Sequence, residues 1–247
     1  MSASTIVVTG GGTGIGRATA LRLAADGRHV TVVGRRAEPL EQVAAAARGA
    51  VSTVTADVST EAGALGLAAA LGEAGRGCAG LVCSAGGNPP SSEAAEPVAA
   101  ERADWQASFE SNVLSAVLPL TALRESLTQS AGRVVLISSI AALRGSGAGP
   151  YGAMKAALHG WVYGLARDLG AHGGTANVIA PGFVPDTEFW EARLTDQMRR
   201  DRVAQSLVGR PGEPAEVASL IAWLLGPEGG WMTAQILSPN GGAVLGR

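Results

Sequence analysis

Seven short apolar runs alternate along the chain with longer segments that are rich in alanine and leucine. The runs contain many β-branched residues and are apolar on both faces, which is typical of parallel strands that helices cover on both sides. We therefore predict seven strands, at 6–9, 30–33, 51–55, 81–84, 134–137, 176–179 and 235–238.

The segments between these runs have the apolar spacing of helices. In the first of them Ile15, Ala18 and Leu21 share one face, and Asp26 with Gly27 marks its end. The other predicted helices span 37–48, 60–74, 100–129, 151–170 and 213–225. This alternation predicts a single α/β domain over 1–247, built as a doubly wound seven-stranded parallel sheet with helices on both faces.

Composition and charge narrow the class of protein. The 247 residues suit one domain, and 47% of them are hydrophobic, which is enough for a large core. A formal net charge of −2 gives no reason to expect binding to nucleic acid or to an anionic membrane, and no apolar run could span a bilayer. The N-terminus lacks a basic region followed by an apolar core, so we expect no export signal and a cytoplasmic protein.

The cysteines and histidines do not suggest a metal or redox site. Cys78 and Cys83 lack the spacing of a ligand or redox pair, and Cys83 lies in an apolar run, as an inert buried thiol would. The three histidines are scattered, whereas zinc sites need clustered ligands. We expect no metal.

The first predicted strand leads into a glycine-rich turn, followed by a helix. Glycines allow the backbone to approach a pyrophosphate, and the helix N-terminus offers it N–H groups and partial positive charge. A strand before the glycines and a helix after them are the context that a Rossmann-type dinucleotide site requires. The alternative is that these residues form an ordinary strand-to-helix turn. The residues of the predicted cofactor site here are Thr9, Gly10, Gly12, Thr13, Gly14, Ile15 and Gly16.

Two arginines follow the second strand, where an NAD site would place an acidic residue against the ribose 2′-hydroxyl. Arg35 and Arg36 can instead grip the 2′-phosphate of NADP, to which the Thr13 hydroxyl can add a hydrogen bond. The alternative is that both are solvated loop cations. NADP(H) is therefore the predicted cofactor.

Asp57 and Val58 follow the third strand, where the carboxylate can accept a hydrogen bond from the adenine amino group. The alternative is that Asp57 caps the next helix, a role that Ser59 or Thr60 could fill equally well.

Tyr151 and Lys155 open a long predicted helix one turn apart, so both lie on one face. A phenol is a poor base because its ordinary pKa is about 10. A neighbouring ammonium favours the phenolate, and an oxidised nicotinamide adds positive charge. Tyr151 is therefore the predicted acid/base, against the alternative of a core aromatic with its hydroxyl at the surface.

Taken together and in order, these motifs resemble the short-chain dehydrogenase/reductase family, within it most the 3-oxoacyl acyl-carrier-protein reductases. The resemblance runs from residue 5 to about 242, nearly the whole chain. It is carried by 9–16, 83–86, Asn112, 137–139, Tyr151 with Lys155, and 180–182.

The resemblance implies roles for individual residues. Tyr151 would protonate the carbonyl oxygen, while Lys155 would lower the pKa of Tyr151 and hold the nicotinamide ribose. Asn112 would hold a water that links Lys155 to solvent. Further predicted cofactor contacts are Ser84, Ala85, Gly86, Pro181, Gly182 and Val184. The alternative for Asn112 is a structural role, in which its side chain donates a hydrogen bond to a neighbouring carbonyl.

Two departures from the family pattern matter. The family usually carries Asn-Asn-Ala-Gly after the fourth strand, whereas this chain has Ser84 at the second of those positions and loses the two-sided bridging of the amide. The substrate-binding serine is also ambiguous. Counting from Arg133 along the fifth strand selects Ser139, whereas counting back from Tyr151 by the family's usual interval selects Ser138. We choose Ser139 because strand register decides which side chain faces the site, while a loop tolerates a deletion. Either serine could instead cap the strand end.

Residues 183–210 contain apolar and aromatic side chains with charges between them, which predicts a mobile lid helix over an apolar or extended substrate. A plain amphipathic surface helix is the alternative. The side chains in question are Pro185, Asp186, Phe189, Trp190, Leu194 and Met198.

Apolar residues on two helices suggest a homo-oligomer, with a tetramer expected, because the resembling family pairs these helices between subunits. The alternative is that they belong to the core of one chain. They are Trp161, Tyr163 and Leu165 on the Tyr151 helix, and Leu114, Val117 and Leu118 on the Asn112 helix.

The predicted activity is NADPH-dependent reduction of a ketone, such as a 3-oxoacyl thioester, to an alcohol. One alternative is an alcohol or sugar dehydrogenase that runs oxidatively, which is disfavoured because NADP pools favour reduction. The other is a non-catalytic NADP-binding sensor, which would be expected to have lost Tyr151 or Lys155.

Overall fold

A computed structural model describes residues 3–145, 149–185, 187–191 and 194–246. Seven parallel strands form one sheet in the order β3-β2-β1-β4-β5-β6-β7. Between β1 and β4 the order reverses direction, which in open α/β sheets is where a crevice for ligands forms. The strands are β1 (Ala3–Thr9), β2 (Val30–Gly34), β3 (Val51–Thr55), β4 (Arg76–Cys83), β5 (Arg133–Ile137), β6 (Thr175–Ile179) and β7 (Ile236–Leu237).

Ten α-helices are present in the described residues, together with a π-helical turn at Glu110–Leu114 and a 3-10 turn at Pro227–Trp231. The helices are α1 (Gly14–Ala25), α2 (Ala37–Ala46), α3 (Glu61–Glu73), α4 (Pro97–Phe109), α5 (Ser115–Gln129), α6 (Ala141–Arg144), α7 (Tyr151–Gly170), α8 (Glu188–Glu191), α9 (Asp196–Ala204) and α10 (Pro214–Leu225).

Alternate residues of the strands face two separate cores. On one face Val7, Leu81 and Leu136 pack against α3, α5 and α7. On the other face Val8 and Val135 pack against α1, α2 and α10. Both faces of the sheet are therefore covered, which confirms the predicted doubly wound architecture.

Several predicted bounds were wrong. The fourth strand begins at Arg76 rather than 81, and the seventh is a two-residue pairing rather than 235–238. The predicted helix over 100–129 is α4 and α5 with the π-helical turn between them. A π turn inserts an extra residue that apolar periodicity does not reveal.

The described part of residues 183–210 holds two short helices, α8 and α9, rather than the single lid helix that we predicted. Asp186 lies outside the described residues. Cys78 and Cys83 are free and buried, and burial raises the pKa of each thiol to about 12, as expected of inert thiols. In the part of the chain that the structure describes, no helix has the length and apolar character to cross a membrane.

Candidate active site

A cleft of about 920 Å³ runs along the carboxyl edge of the sheet. This volume is within the range of ligand pockets. The loops that follow β1 to β6 line it, so parallel topology brings together residues that are far apart in sequence. Most predicted site residues line the cleft: Gly10, Gly12, Thr13, Gly14, Ile15, Arg35, Arg36, Asp57, Val58, Ser84, Ala85, Gly86, Ser139, Tyr151, Lys155, Pro181, Gly182 and Val184.

Three predicted residues lie behind the cleft wall instead: Thr9, Gly16 and Asn112. Thr9 is fully buried, and its hydroxyl accepts from Ala85 N at 3.2 Å, which ties the β4 loop to β1. A Cβ on Gly16 would collide with Gly10 O, so this position requires glycine for close packing of turn and helix.

The glycine-rich turn has little room for side chains. Gly10 has φ +65°, and a Cβ there would lie 2.8 Å from Ala85 N. Helix α1 begins at Gly14, and its N-cap residue Thr13 makes no side-chain capping bond within the described residues. The first N–H groups of α1 therefore point at the cleft as an anion site, as a dinucleotide pyrophosphate requires.

Arg36 lies at the end of the cleft that the sequence assigns to a 2′-phosphate. Its Nη2 is 2.6 Å from both carboxylate oxygens of Glu188 on α8. Both side chains are substantially exposed. This ion pair joins the β2 loop to α8 across 152 positions of sequence.

Asp57 does not cap a helix. The N-cap of α3 is Thr60, whose hydroxyl accepts from Gly63 N at 3.0 Å. The Asp57 Oδ1 atom accepts from both N and Oγ of Ser59. Hydrogen bonding from Ser59, helped by the Arg35 charge, holds the pKa of Asp57 below its ordinary value. The carboxylate is thus ionised and faces the cleft, as an acceptor for an amino group must be.

Lys155 is a buried ammonium within the wall of the cleft. Its Nζ donates to Ile137 O at 2.9 Å and lies 5.9 Å from the centre of the Tyr151 ring. Burial lowers the pKa of Lys155 to about 8. The ammonium is therefore held within reach of the phenol, one helical turn away, where its charge acts through little solvent.

The two serines after β5 face different surroundings. Ser138 is buried, and its Oγ donates to Lys155 O at 3.0 Å and lies 2.8 Å from His159 Nε2. Ser139 is more exposed, and its Oγ accepts from Ala141 N at 3.1 Å. Both serines line the cleft, but Ser138 fastens α7 to β5, whereas the Ser139 hydroxyl donates no hydrogen bond among the described residues.

The π-helical turn places Asn112 in the interior, behind the β4 loop. Its Nδ2 donates to Gly87 O at 2.8 Å and to Ser108 O at 3.0 Å, and its Oδ1 accepts from Gly87 N at 3.1 Å. A Cβ on Gly86 would lie 2.9 Å from Asn112 Oδ1 and 3.0 Å from Lys155 Nζ. Gly86 is thus wedged between the two, and Asn112 holds this loop against Lys155.

The loop after β6 supplies the opposite wall. Pro181 O accepts from Ile140 N at 2.9 Å, which joins the loops after β5 and β6. A Cβ on Gly182 would lie 2.7 Å from Asn240 Cα, so glycine is required here for the close approach of the loops after β6 and β7. Val184 is buried beside it.

Sequence reasoning missed several residues that line the cleft. Thr187 lies against the glycine turn, since a Cβ on Gly14 would be 3.0 Å from its Cγ2. Glu188 pairs with Arg36, and Arg144 and Arg202 line the cleft without having been singled out. Arg144 could have been found, because it follows the predicted fifth strand closely; Glu188 had no sequence signal.

Comparison with known proteins gives consistent matches over nearly the whole chain. A family model described as "Enoyl-(Acyl carrier protein) reductase" matches residues 10–244. The short-chain reductase protein NovJ of Streptomyces niveus is 33% identical, over 97% of this chain and 93% of that protein. The rhamnolipids biosynthesis 3-oxoacyl acyl-carrier-protein reductase of Pseudomonas aeruginosa is 34% identical, over 97% of this chain and 95% of its own.

Solved structures give the same result. The structure described as "Pseudomonas aeruginosa RhlG/NADP active-site complex" superposes with a TM-score of 0.86 and 32% identity, covering 98% of this chain and 97% of that one. The family match, the similarity to a 3-oxoacyl reductase and the shared fold agree with one another. The chain belongs to the short-chain dehydrogenase/reductase family of oxidoreductases.

Proposed function

We propose that this enzyme reduces a ketone to an alcohol with NADPH, and that Tyr151 donates the proton. The observation that carries the proposal is the buried Lys155 ammonium beside the Tyr151 ring, anchored on Ile137 O. A phenol next to a fixed cation loses its proton more readily, because the phenolate is stabilised.

The chain's own residues fit NADP. Gly10 and Gly16 leave no space for side chains, which lets β1 turn tightly into α1, and the N-terminus of α1 lines the cleft where a pyrophosphate would bind. Arg35 and Arg36 both line the cleft after β2, which supports binding of a 2′-phosphate, and a similar solved structure is described as an NADP complex. When bound, the cofactor supplies the hydride.

The remaining residues hold and orient the reacting ketone. Ser139 donates its hydroxyl proton to the substrate oxygen, beside the Tyr151 hydroxyl that transfers a proton to the same oxygen. Lys155 holds the phenolate that remains and the ribose of the nicotinamide. Asn112 acts through the loop at Gly86, which it keeps against Lys155. Fixed dipoles and charges of this kind stabilise the transition state without reorganisation.

The segment with α8 and α9 serves as the lid of the proposed site. Phe189 lies against Tyr151 with ring centres 5.4 Å apart, and Trp190 packs edge-on to Phe183 at 5.2 Å. These rings form an apolar wall beside the acid. An acyl chain that extends from the ketone fits such a wall, and a 3-oxoacyl thioester is the substrate type we favour.

The test is a screen of NADPH oxidation over acetoacetyl thioesters, diketones and quinones, with the alcohol product quantified. We expect at least one thioester or diketone to be reduced, and NADPH to be preferred over NADH. Efficient oxidation of simple alcohols or sugars with NADP⁺, and no carbonyl reduction, would instead support the oxidative alternative. No turnover in either direction with intact NADPH binding would favour a sensor.

A further inference from the structure

The substrate end of the cleft carries two guanidinium groups. Arg144 is the last residue of α6, shortly after Ser139, and Arg202 lies on α9 in the lid segment. Both line the cleft. They come from segments 58 positions apart in sequence, so only the fold brings them to the same cleft.

These two cations repel each other. Burial and the nearby Arg202 charge both lower the pKa of Arg144. Among the described residues, no carboxylate forms an ion pair with either arginine. Like charges held together without a counter-charge cost free energy, and an anion between them would remove that cost.

The carboxylates in the described lining are engaged elsewhere. Asp57 accepts from Ser59, Glu188 pairs with Arg36, and Glu110 accepts from the Gln106 side chain. The described lining thus holds five cationic side chains against three carboxylates, although the whole chain has a formal net charge of −2. The cations in the cleft therefore do not reflect an excess of basic residues in the chain as a whole.

A row of aromatic rings connects the proposed proton donor with Arg202. Successive ring centres from Tyr151 to Phe189 to Trp190 are 5.4 Å and 5.1 Å apart. The Arg202 guanidinium then lies 6.0 Å from the centre of the Trp190 ring. The rings suit an apolar spacer, and the cation at their end suits a negative group.

We propose that Arg144 and Arg202 form an anion clamp that selects substrates in which a spacer several atoms long separates the ketone from a carboxylate or phosphate. The inference rests on the proposed ketone reductase activity, whose site it extends. Guanidinium groups bind both anions through paired hydrogen bonds. A free keto acid and a thioester of a phosphate-bearing carrier such as coenzyme A both carry an anion that a guanidinium group can bind.

The first measurement compares two reducible thioesters of one 3-oxoacyl group, the coenzyme A thioester and the neutral N-acetylcysteamine thioester. Arg202→Met and Arg144→Met should each lower kcat/KM for the coenzyme A thioester roughly tenfold or more, since a hydrogen bond to a charged group is lost. The neutral thioester should change less than about twofold. A long-chain keto acid and its methyl ester make a second pair, which distinguishes a carboxylate from a phosphate.

Arg199→Met is the matched control. Arg199 is exposed on the same helix, outside the cleft lining, and its replacement changes net charge equally. We expect that control to leave both thioesters unchanged, and Arg202→Lys to retain part of the preference. Equal losses on charged and neutral substrates, or an equal effect of Arg199→Met, would overturn the clamp.

Binding provides a readout that does not depend on turnover. Isothermal titration calorimetry of butyryl coenzyme A, which has no ketone, into the NADPH-saturated enzyme should show weaker binding by the double variant Arg144→Met, Arg202→Met. If wild type reduces no ketone but this difference appears, the proposed activity fails and the clamp stands. If NADPH affinity falls instead and butyryl coenzyme A affinity does not, the arginines serve the cofactor and the clamp is wrong.

Discussion

Arg35 and Arg36 are the residues by which the sequence distinguishes NADP from NAD. Charge-assisted bonds to a phosphate contribute about 1.5–3 kcal/mol each, so replacing both arginines by alanine should weaken NADPH binding by about a hundredfold or more. NADH lacks the 2′-phosphate and should lose far less. Fluorescence titration of both cofactors checks this; equal losses would show that the arginines are solvated cations.

The Arg36–Glu188 pair, at 2.6 Å, was invisible to sequence reasoning because its members lie 152 positions apart. Glu188 competes with a 2′-phosphate for the same guanidinium. Exposed ion pairs contribute up to about 1 kcal/mol, so Glu188→Gln should tighten NADPH binding by up to about fivefold and leave NADH binding unchanged. Glu41→Gln, an exposed change on α2, is the control; the same gain there would mean a general charge effect.

Lys155 is buried where the proposed mechanism needs a cation, at a cost to stability. Its pKa falls from 10.5 to about 8 on folding, so the folded protein binds the proton less tightly than the unfolded chain. The resulting penalty is complete below about pH 8 and disappears as the pH rises to about 10.5. The stability of the wild type should therefore increase between these pH values.

Lys155→Met removes this penalty together with the bond to Ile137 O. We expect the free energy of unfolding at neutral pH to rise by about 1–3 kcal/mol, while ketone reduction is lost. Urea unfolding of wild type and Lys155→Met at neutral pH and near pH 10 checks the sign of the change in the free energy of unfolding. A variant that is less stable at neutral pH, with an unchanged pH dependence, would contradict the burial argument.

At the scale of elements, alternating apolar runs were enough to predict seven strands and their parallel sheet, because strands buried on both faces leave a clear signal. The break at Glu110–Leu114 was missed, since Ala/Leu-rich segments look continuous on either side of a π turn. That break places Asn112 behind the loop at Gly87, rather than in the cleft lining. The choice of Ser139 over Ser138 came from strand register; its role stays a prediction.

The π-helical turn gives a test at this scale. Asn112→Ala leaves the N–H and C=O of Gly87 without their side-chain partners, so we expect a loss of about 1–3 kcal/mol of stability. Activity should fall further, because the loop at Gly86 no longer holds against Lys155. Denaturant unfolding and kcat measured on the same preparation separate the two effects. A variant with normal kcat and reduced stability would leave Asn112 a purely structural role.

For the whole molecule, α4 and α7 leave large apolar side chains on the surface. Trp105, Phe109 and Tyr163 are each more than 40% exposed. We propose that copies of the chain associate through these helices, and expect the double variant Phe109→Glu, Tyr163→Glu to shift the protein toward a monomer. Light scattering during size-exclusion chromatography measures the mass. A wild-type monomer, or an unchanged oligomer in the variant, would contradict this surface.

The fold and the residues of the cleft were largely predictable, because each motif follows a strand and all strands end at one edge. The meeting of Arg144 and Arg202 in the cleft was not, since it depends on how the segment with α8 and α9 packs, which the apolar periodicity does not record. The proposed proton transfer depends on one group, the hydroxyl of Tyr151.

That hydroxyl group gives the most direct test. In single-turnover experiments with saturating NADPH and a ketone identified by the screen, we expect Tyr151→Phe to slow hydride transfer by at least about a hundredfold, the lower range for a lost general acid. The affinity for NADPH should stay within a few-fold of wild type. Hydride transfer at the wild-type rate in Tyr151→Phe would contradict the assignment of Tyr151 as the proton donor.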